Sequence, residues 1–224
     1  MMPNRLPLLA TAVLLAAQST RAQQTPDLAP YLMTDRAAEI ALARTAAPGI
    51  ISDSATVIVL TKSGFVEAVH GTNGFTCMVQ RSFFAGFSDP NFWYAENRSP
   101  LCINPPAVRT VLPEILKRGE WIMAGLSAKE VAKRTKDGYA SHAFPMPAPG
   151  AMAYMLSPEQ ILAPTMPHWV PHLMFYFDKS LPAAAWGLGD ANVTVIDAPG
   201  DADSPIRLLL VPVRRWSDGK PAMP

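Results

Sequence analysis

Proline constrains what this chain can fold into more than any other residue, with 23 in 224 positions, about twice the usual share. Each one fixes φ and removes a backbone donor, so a proline-dense stretch is neither a helix interior nor a central strand. The clusters fall at Pro105-Pro106, at Pro145, Pro147 and Pro149, and at Pro164, Pro167 and Pro171. Regular elements must be fitted between them, joined by long, ordered connections. Such a connection serves either as a rigid binding loop or as simple stiffening of an extracellular protein.

The first 22 residues read as a targeting segment rather than as part of the fold. Arg5 gives a short positive start, Leu6 to Ala17 is uncharged and apolar, and Thr20-Arg21-Ala22 places small residues at a cleavage site. The apolar run is about twelve residues, short of the about twenty needed to span a bilayer. No cysteine follows it for lipid attachment. The expectation is a cleaved signal over 1–22, a single domain over 23–224, and a secreted or periplasmic destination. No later segment approaches the length of a membrane-spanning helix.

Loss of Arg5 and Arg21 takes the formal charge from +1 to −1. A near-neutral chain without a Lys/Arg stripe argues against nucleic acid and against an anionic membrane surface as partners. An unidentified small molecule or envelope component is the expected partner, and no cofactor signature is present. Apolar residues make up 49% of the chain, enough for a substantial core and too many for disorder.

Cys77 and Cys102 are the only cysteines, and an exported chain meets an oxidising environment, so they are expected to form one disulfide. A metal or redox role has less support, because there is no CxxC and no histidine at ligand-motif spacing from either cysteine.

Secondary-structure signals alternate along the chain. Thr34 or Asp35 caps a helix that runs to about Ala46, and Pro48-Gly49 ends it. Thr56 to Leu60 is a β-branched strand covered on both faces. A second strand runs from Phe65 to His70, and Thr72-Asn73-Gly74 signals a hairpin into a third, Phe75 to Arg81, making an antiparallel meander. Residues 82–104 read as irregular and aromatic-rich. Here Phe83, Phe87, Phe92 and Trp93 form either a covered mini-core or an exposed ligand patch. Pro106 opens a helix that Pro113 kinks or splits in two.

Ser127-Ala128-Lys129-Glu130 is a capping box whose helix ends at Gly138. Its Lys129, Lys133, Arg134 and Lys136 form either a solvated face or an anion site. Later strands are expected at Ala151–Leu156, His172–Phe177, Asn192–Ile196 and Ile206–Val213, with a short helix at Leu181–Trp186. Strand-rich halves around a helical middle define an α+β domain with a mostly antiparallel sheet.

Chemistry-bearing motifs are few. Met166-Pro167-His168-Trp169-Val170-Pro171-His172 holds two imidazoles and a thioether suited to copper or zinc. Pro171 argues against the helix that would bring His168 and His172 together. On a strand they stand about 13 Å apart. Packed or hydrogen-bonded histidines are the competing reading. His70 and His142 have no motif context, and Asp197, Asp201 and Asp203 lack the spacing of an EF-hand. There is no GxSxG or HExxH. Ser217-Asp218-Gly219-Lys220 matches SxxK in a turn context where no helix is expected.

Gly71-Thr72-Asn73-Gly74-Phe75-Thr76-Cys77, Ser99-Pro100-Leu101-Cys102 and His168-Trp169-Val170-Pro171-His172-Leu173-Met174-Phe175-Tyr176, with the leader, resemble an uncharacterised group of exported bacterial proteins. The resemblance implies export and a single domain, and it lends no reaction or site residue. The expected function is a non-catalytic binding or cell-envelope role. The alternatives are a hydrolase-like enzyme with an unrecognised site, and metal binding through His168, His172 and Met166.

Overall fold

The computed structural model describes residues 26–188, 194–198 and 204–222. The leader 1–22, Asn192, Asp201 and Asp203 lie outside these residues. Among the described residues eight strands form one sheet: β1 Thr56–Thr61, β2 Gly64–Val69, β3 Thr76–Gln80, β4 Ser99–Ile103, β5 Met152–Met155, β6 His172–Asp178, β7 Ile196–Ala198 and β8 Ile206–Pro212. Their order is β2-β1-β3-β4-β5-β6-β8-β7, and every neighbouring pair is antiparallel except β1 with β3. Helices α1 (Arg36–Arg44) and α2 (Gly49–Ser52) precede β1. Helices α3 (Pro105–Thr110), α4 (Leu112–Met123) and α5 (Ala128–Ala140) fill the interval between β4 and β5. The α+β class with a helical middle is therefore as expected.

Side-chain alternation along the strands sends alternate residues to opposite faces. Val57, Cys77, Val79 and Cys102 pack with Ala43, Ala46 and Ala47 under α1. Its alanine-rich face lets the helix lie close to the sheet. Asp35 caps α1 by accepting from the Ala37 and Ala38 amides. On the other face, Ile58, Met78, Leu101 and Ile103 pack with Val111 and Ile115 of the α3–α4 region. The disulfide joins Cys77 and Cys102, which sit directly opposite each other on β3 and β4.

The expected three-stranded meander is corrected. β3 pairs with β1 in parallel, on the side away from β2, so the Asn73-Gly74 turn is a crossing rather than a hairpin. The chain passes the start of β1, where Thr56 Oγ1 accepts from the Gly71 amide and Ser54 O accepts from Thr72. A Cβ on Gly71 would stand 2.0 Å from the Thr56 nitrogen, so only glycine lets the two backbones approach this closely. Asn73 Nδ2 meanwhile donates to the Ile51 carbonyl.

β4 is a second departure, since residues 99–103 fall in the stretch read as irregular. Pro100 pairs with Val79 on one side, while β5 pairs only with Cys102 and Ile103 on the other. The missing proline donor thus faces an edge that carries no ladder. Pro113 splits the middle helix, with α3 ending at Thr110 and α4 starting at Leu112. Gly138 does not end α5. The Phe144 ring packs where its Cβ would be, 2.4 Å from Cε2, and the left-handed residue after the helix is His142, at φ 60°. The capping box of Ser127 and Glu130 forms as expected. Of the strand expected at Asn192–Ile196, residues 192 and 193 lie outside the described residues, and the described strand is Ile196–Ala198.

Candidate functional site

The two ends of the sheet are covered unequally. β1, β3 and β4 are buried almost throughout, whereas β6 and β8 are only half-buried along most of their length. A cleft of about 820 Å³ opens on the face beneath α4 and α5, within the size range of small-molecule sites. Met155, Met174, Tyr176, Ile206 and Leu208 form an apolar floor on β5, β6 and β8, with Ile115 of α4 beside them. The 81–97 loop supplies Phe84, Phe87 and Asp89, the 162–166 turn supplies Leu162 and Met166, and α5 supplies Lys129, Ala132, Lys133, Thr135, Lys136 and Tyr139.

The loop wall is held rigidly. Ser82 Oγ donates to the Phe92 carbonyl at 2.8 Å and Tyr31 OH donates to the Trp93 carbonyl at 2.6 Å. At its base the buried Arg81 guanidinium meets Glu39 Oε1 at 2.7 Å, donates to the Tyr31 carbonyl at 2.7 Å and reaches the Val79 carbonyl. Glu39 Oε1 also accepts from the Leu60 amide. A buried ion pair needs such extra hydrogen bonds to offset its desolvation. Asn97 Nδ2 donates to the Leu162 carbonyl, which joins the loop to the 162–166 turn.

Charge inside the cleft centres on α4. Glu114 and Arg118 lie one turn apart, 3.9 Å between Oε1 and Nη1, and both side chains are nearly buried. The Arg118 guanidinium lies 4.0 Å from the Phe87 ring centroid, a cation–π contact in a partly dry setting. It also donates to the Ala85 carbonyl. Burial pushes the Glu114 carboxyl above its ordinary range, and Arg118 opposes that shift. Burial, then the neighbouring Glu114 charge, raises the Tyr139 and Tyr176 phenols well above theirs. Both phenols are therefore neutral donors at physiological pH. Thr135 Oγ1, also on the wall, is buried without a hydrogen-bond partner.

The residues singled out in the sequence are distributed differently. The exposed aromatic patch is corrected: Phe83 and Phe92 are 0% and 4% exposed and pack with Tyr31, Leu60, Ile122 and Val131. Phe87 and Trp93 are half-buried, and of the four only Phe87 lines the cleft. Four rings in one short loop bury more apolar area against one another than a solvated display would allow.

His168 is exposed in the connection before β6. His172 is buried at the start of β6, with Nδ1 2.9 Å from the Val170 carbonyl and its ring against Trp169. Met166 is exposed and lies on the cleft rim. Among the described residues no group of three or more His, Cys, Asp or Glu is placed to hold a metal. Among the described residues no histidine lines the cleft, and its Ser82 and Ser99 hydroxyls are already donating, to Phe92 O and to Asn97 Oδ1. A serine–histidine hydrolytic pair is therefore absent from the described lining.

Glu114, Arg118 and Tyr139 carry no sequence motif, and Tyr176 appears only at the end of the His168–Tyr176 passage with no role attached. The Glu114–Arg118 spacing is an ordinary intrahelical pair, and only the fold turns it inward. No family model, no curated protein and no solved structure matches this chain.

Proposed function

We propose that this chain is an exported, non-catalytic binding protein whose cleft takes a small, largely apolar molecule. The observation that carries the reading is the apolar floor facing an 820 Å³ space, in which Met174, Ile206 and Leu208 stay half-covered beside the buried Met155 and Tyr176. Single exposed apolar side chains are normal on a protein surface, but a contiguous concave set marks a place where another molecule sits. Two phenols and the Glu114 carboxyl supply a few polar contacts in that apolar setting, the usual composition of a ligand pocket. The disulfide suits an oxidising destination. Among the described residues no helix is long and apolar enough to cross a membrane.

Titration with N-phenyl-1-naphthylamine, an uncharged apolar fluorophore, tests this. One saturable site is expected, with fluorescence enhancement. Ala132→Trp, which puts an indole into the space from α5, is expected to lower the affinity at least about tenfold (about 1.4 kcal/mol). No saturable binding, or equal binding by this variant, contradicts the reading.

A further inference from the structure

We infer that the occupant of the cleft is an uncharged amphiphile, its acyl or aryl body on the β5–β6–β8 floor and a carbonyl or hydroxyl oxygen of its head held by the Tyr139 and Tyr176 phenols beside Glu114. This rests on the proposed use of the cleft and names the chemistry of its occupant.

Three polar side chains line the cleft from three different elements: Glu114 from α4, Tyr139 from α5 and Tyr176 from β6. The Glu114 charge reaches both phenols, and Tyr176 reaches Tyr139, so the three converge on one part of the cleft. Packing and backbone pairing, rather than polar partners, fix both rings. Phe144 holds the Tyr139 ring edge-on at 5.5 Å. Pairing sets Tyr176 opposite Leu208 of β8, and its amide donates to the Ala151 carbonyl. Among the described residues neither phenol hydroxyl forms a hydrogen bond. Glu114 Oε1 stands 3.9 Å from Arg118 Nη1, an ion pair beyond hydrogen-bond reach. Buried polar groups normally find hydrogen-bond partners, so this cluster is built to be completed by a molecule in the cleft.

Both phenols keep their protons at physiological pH. Each is then an O–H donor, and together they match the two lone pairs of one neutral oxygen. A ligand carboxylate would be stripped of water beside the Glu114 carboxyl, with Arg118 already held by Glu114, the Phe87 ring and the Ala85 carbonyl. A ligand ammonium would meet that same guanidinium as a like charge. Taking a whole charge out of water costs far more than taking out an uncharged oxygen. The neutral head is the one this cluster suits.

Displacement of N-phenyl-1-naphthylamine by three compounds with one aryl body separates the cases. They are 2-acetylnaphthalene, 2-isopropenylnaphthalene, which carries a methylene where the ketone has its oxygen, and 2-naphthoate. The methylene isostere is the more apolar of the first two, so a merely apolar cleft prefers it. Here the ketone is expected to bind at least about fivefold more tightly than the isostere and at least about tenfold more tightly than the carboxylate. In Tyr139→Phe/Tyr176→Phe the ketone is expected to lose its lead over the isostere while fluorophore binding persists, which also shows that the variant is folded. Tyr139→Phe alone, at the half-buried ring, is expected to cut that lead at least about twofold. Equal or tighter binding of the isostere by the native chain, whatever the variants do, overturns the oxygen site and leaves the apolar cleft standing. A ketone preference that survives the double substitution does the same. Equal or tighter binding of the carboxylate overturns the uncharged head. Failure of the fluorophore and of all three compounds overturns both readings.

Discussion

The two halves of the sheet use the same kind of strand for opposite ends. Around β1, β3 and β4 both faces are sealed, by α1 on one side and the α3–α4 region on the other, and the disulfide ties two of the strands together. Around β6 and β8 the helices stop short, and Met174, Ile206 and Leu208 remain partly accessible. Most of the fully buried side chains and the disulfide lie away from the cleft, so substitutions in the cleft are expected to change binding more than folding.

The largest expected effect lies in the sealed half. Glu39→Gln leaves the Arg81 guanidinium buried without its counter-charge and is expected to cost about 3–5 kcal/mol in urea unfolding. Close behind, Cys77→Ala/Cys102→Ala removes a cross-link spanning 25 residues of sequence and is expected to cost about 3.5 kcal/mol on the chain-entropy model. Leu208→Ala in the open half deletes a half-buried side chain, with an expected stability loss of only about 1 kcal/mol and a several-fold drop in fluorophore affinity. An equal loss at Leu208 and at the sealed sites would break the contrast between the halves.

Two buried titratable groups sharpen the contrast through pH. Burial raises the Glu114 pKa, so above the ordinary carboxylate value of about 4.3 the folded chain holds a proton that the unfolded chain has released. Stability then falls as pH rises through that window, and Glu114→Gln is expected to remove the slope. His172 is the opposite case: burial lowers its pKa, and the Val170 carbonyl only partly opposes this. Below about pH 6.5 the unfolded chain binds the extra proton, so stability falls as pH drops from there towards the folded value. His172→Gln is expected to flatten that limb in denaturant titrations at stepped pH. The smallest effect is at the exposed Lys117–Glu120 pair on α4, where Lys117→Gln is expected to change stability by less than about 0.5 kcal/mol.

Local signals in the sequence located much of the fold. The capping box of Ser127 and Glu130, the split at Pro113, the cap at Asp35 and the β-branched run of β1 all stand where short-range chemistry placed them. Long-range pairing was not legible. Asn73-Gly74 carries hairpin chemistry, yet it serves a crossing, because Gly71 lets the backbone pass the start of β1. Gly138 reads as a helix stop and instead makes room for Phe144. The cleft was the least visible part. Its floor joins β5, β6 and β8, its wall is α5, and Glu114 looks like half of any surface pair. The lysines of α5 were visible as a basic face, but the apolar floor opposite them was not.

The central claim, that the open half of the sheet is a ligand floor, is tested most directly by methyl NMR of methionine-labelled protein titrated with N-phenyl-1-naphthylamine. Met155 and Met174 line the cleft, whereas Met78 is fully buried and does not. The account predicts saturable shifts at Met155 and Met174 with Met78 unmoved. Saturable shifts confined to methionines away from the cleft, or none at any methionine, would contradict it.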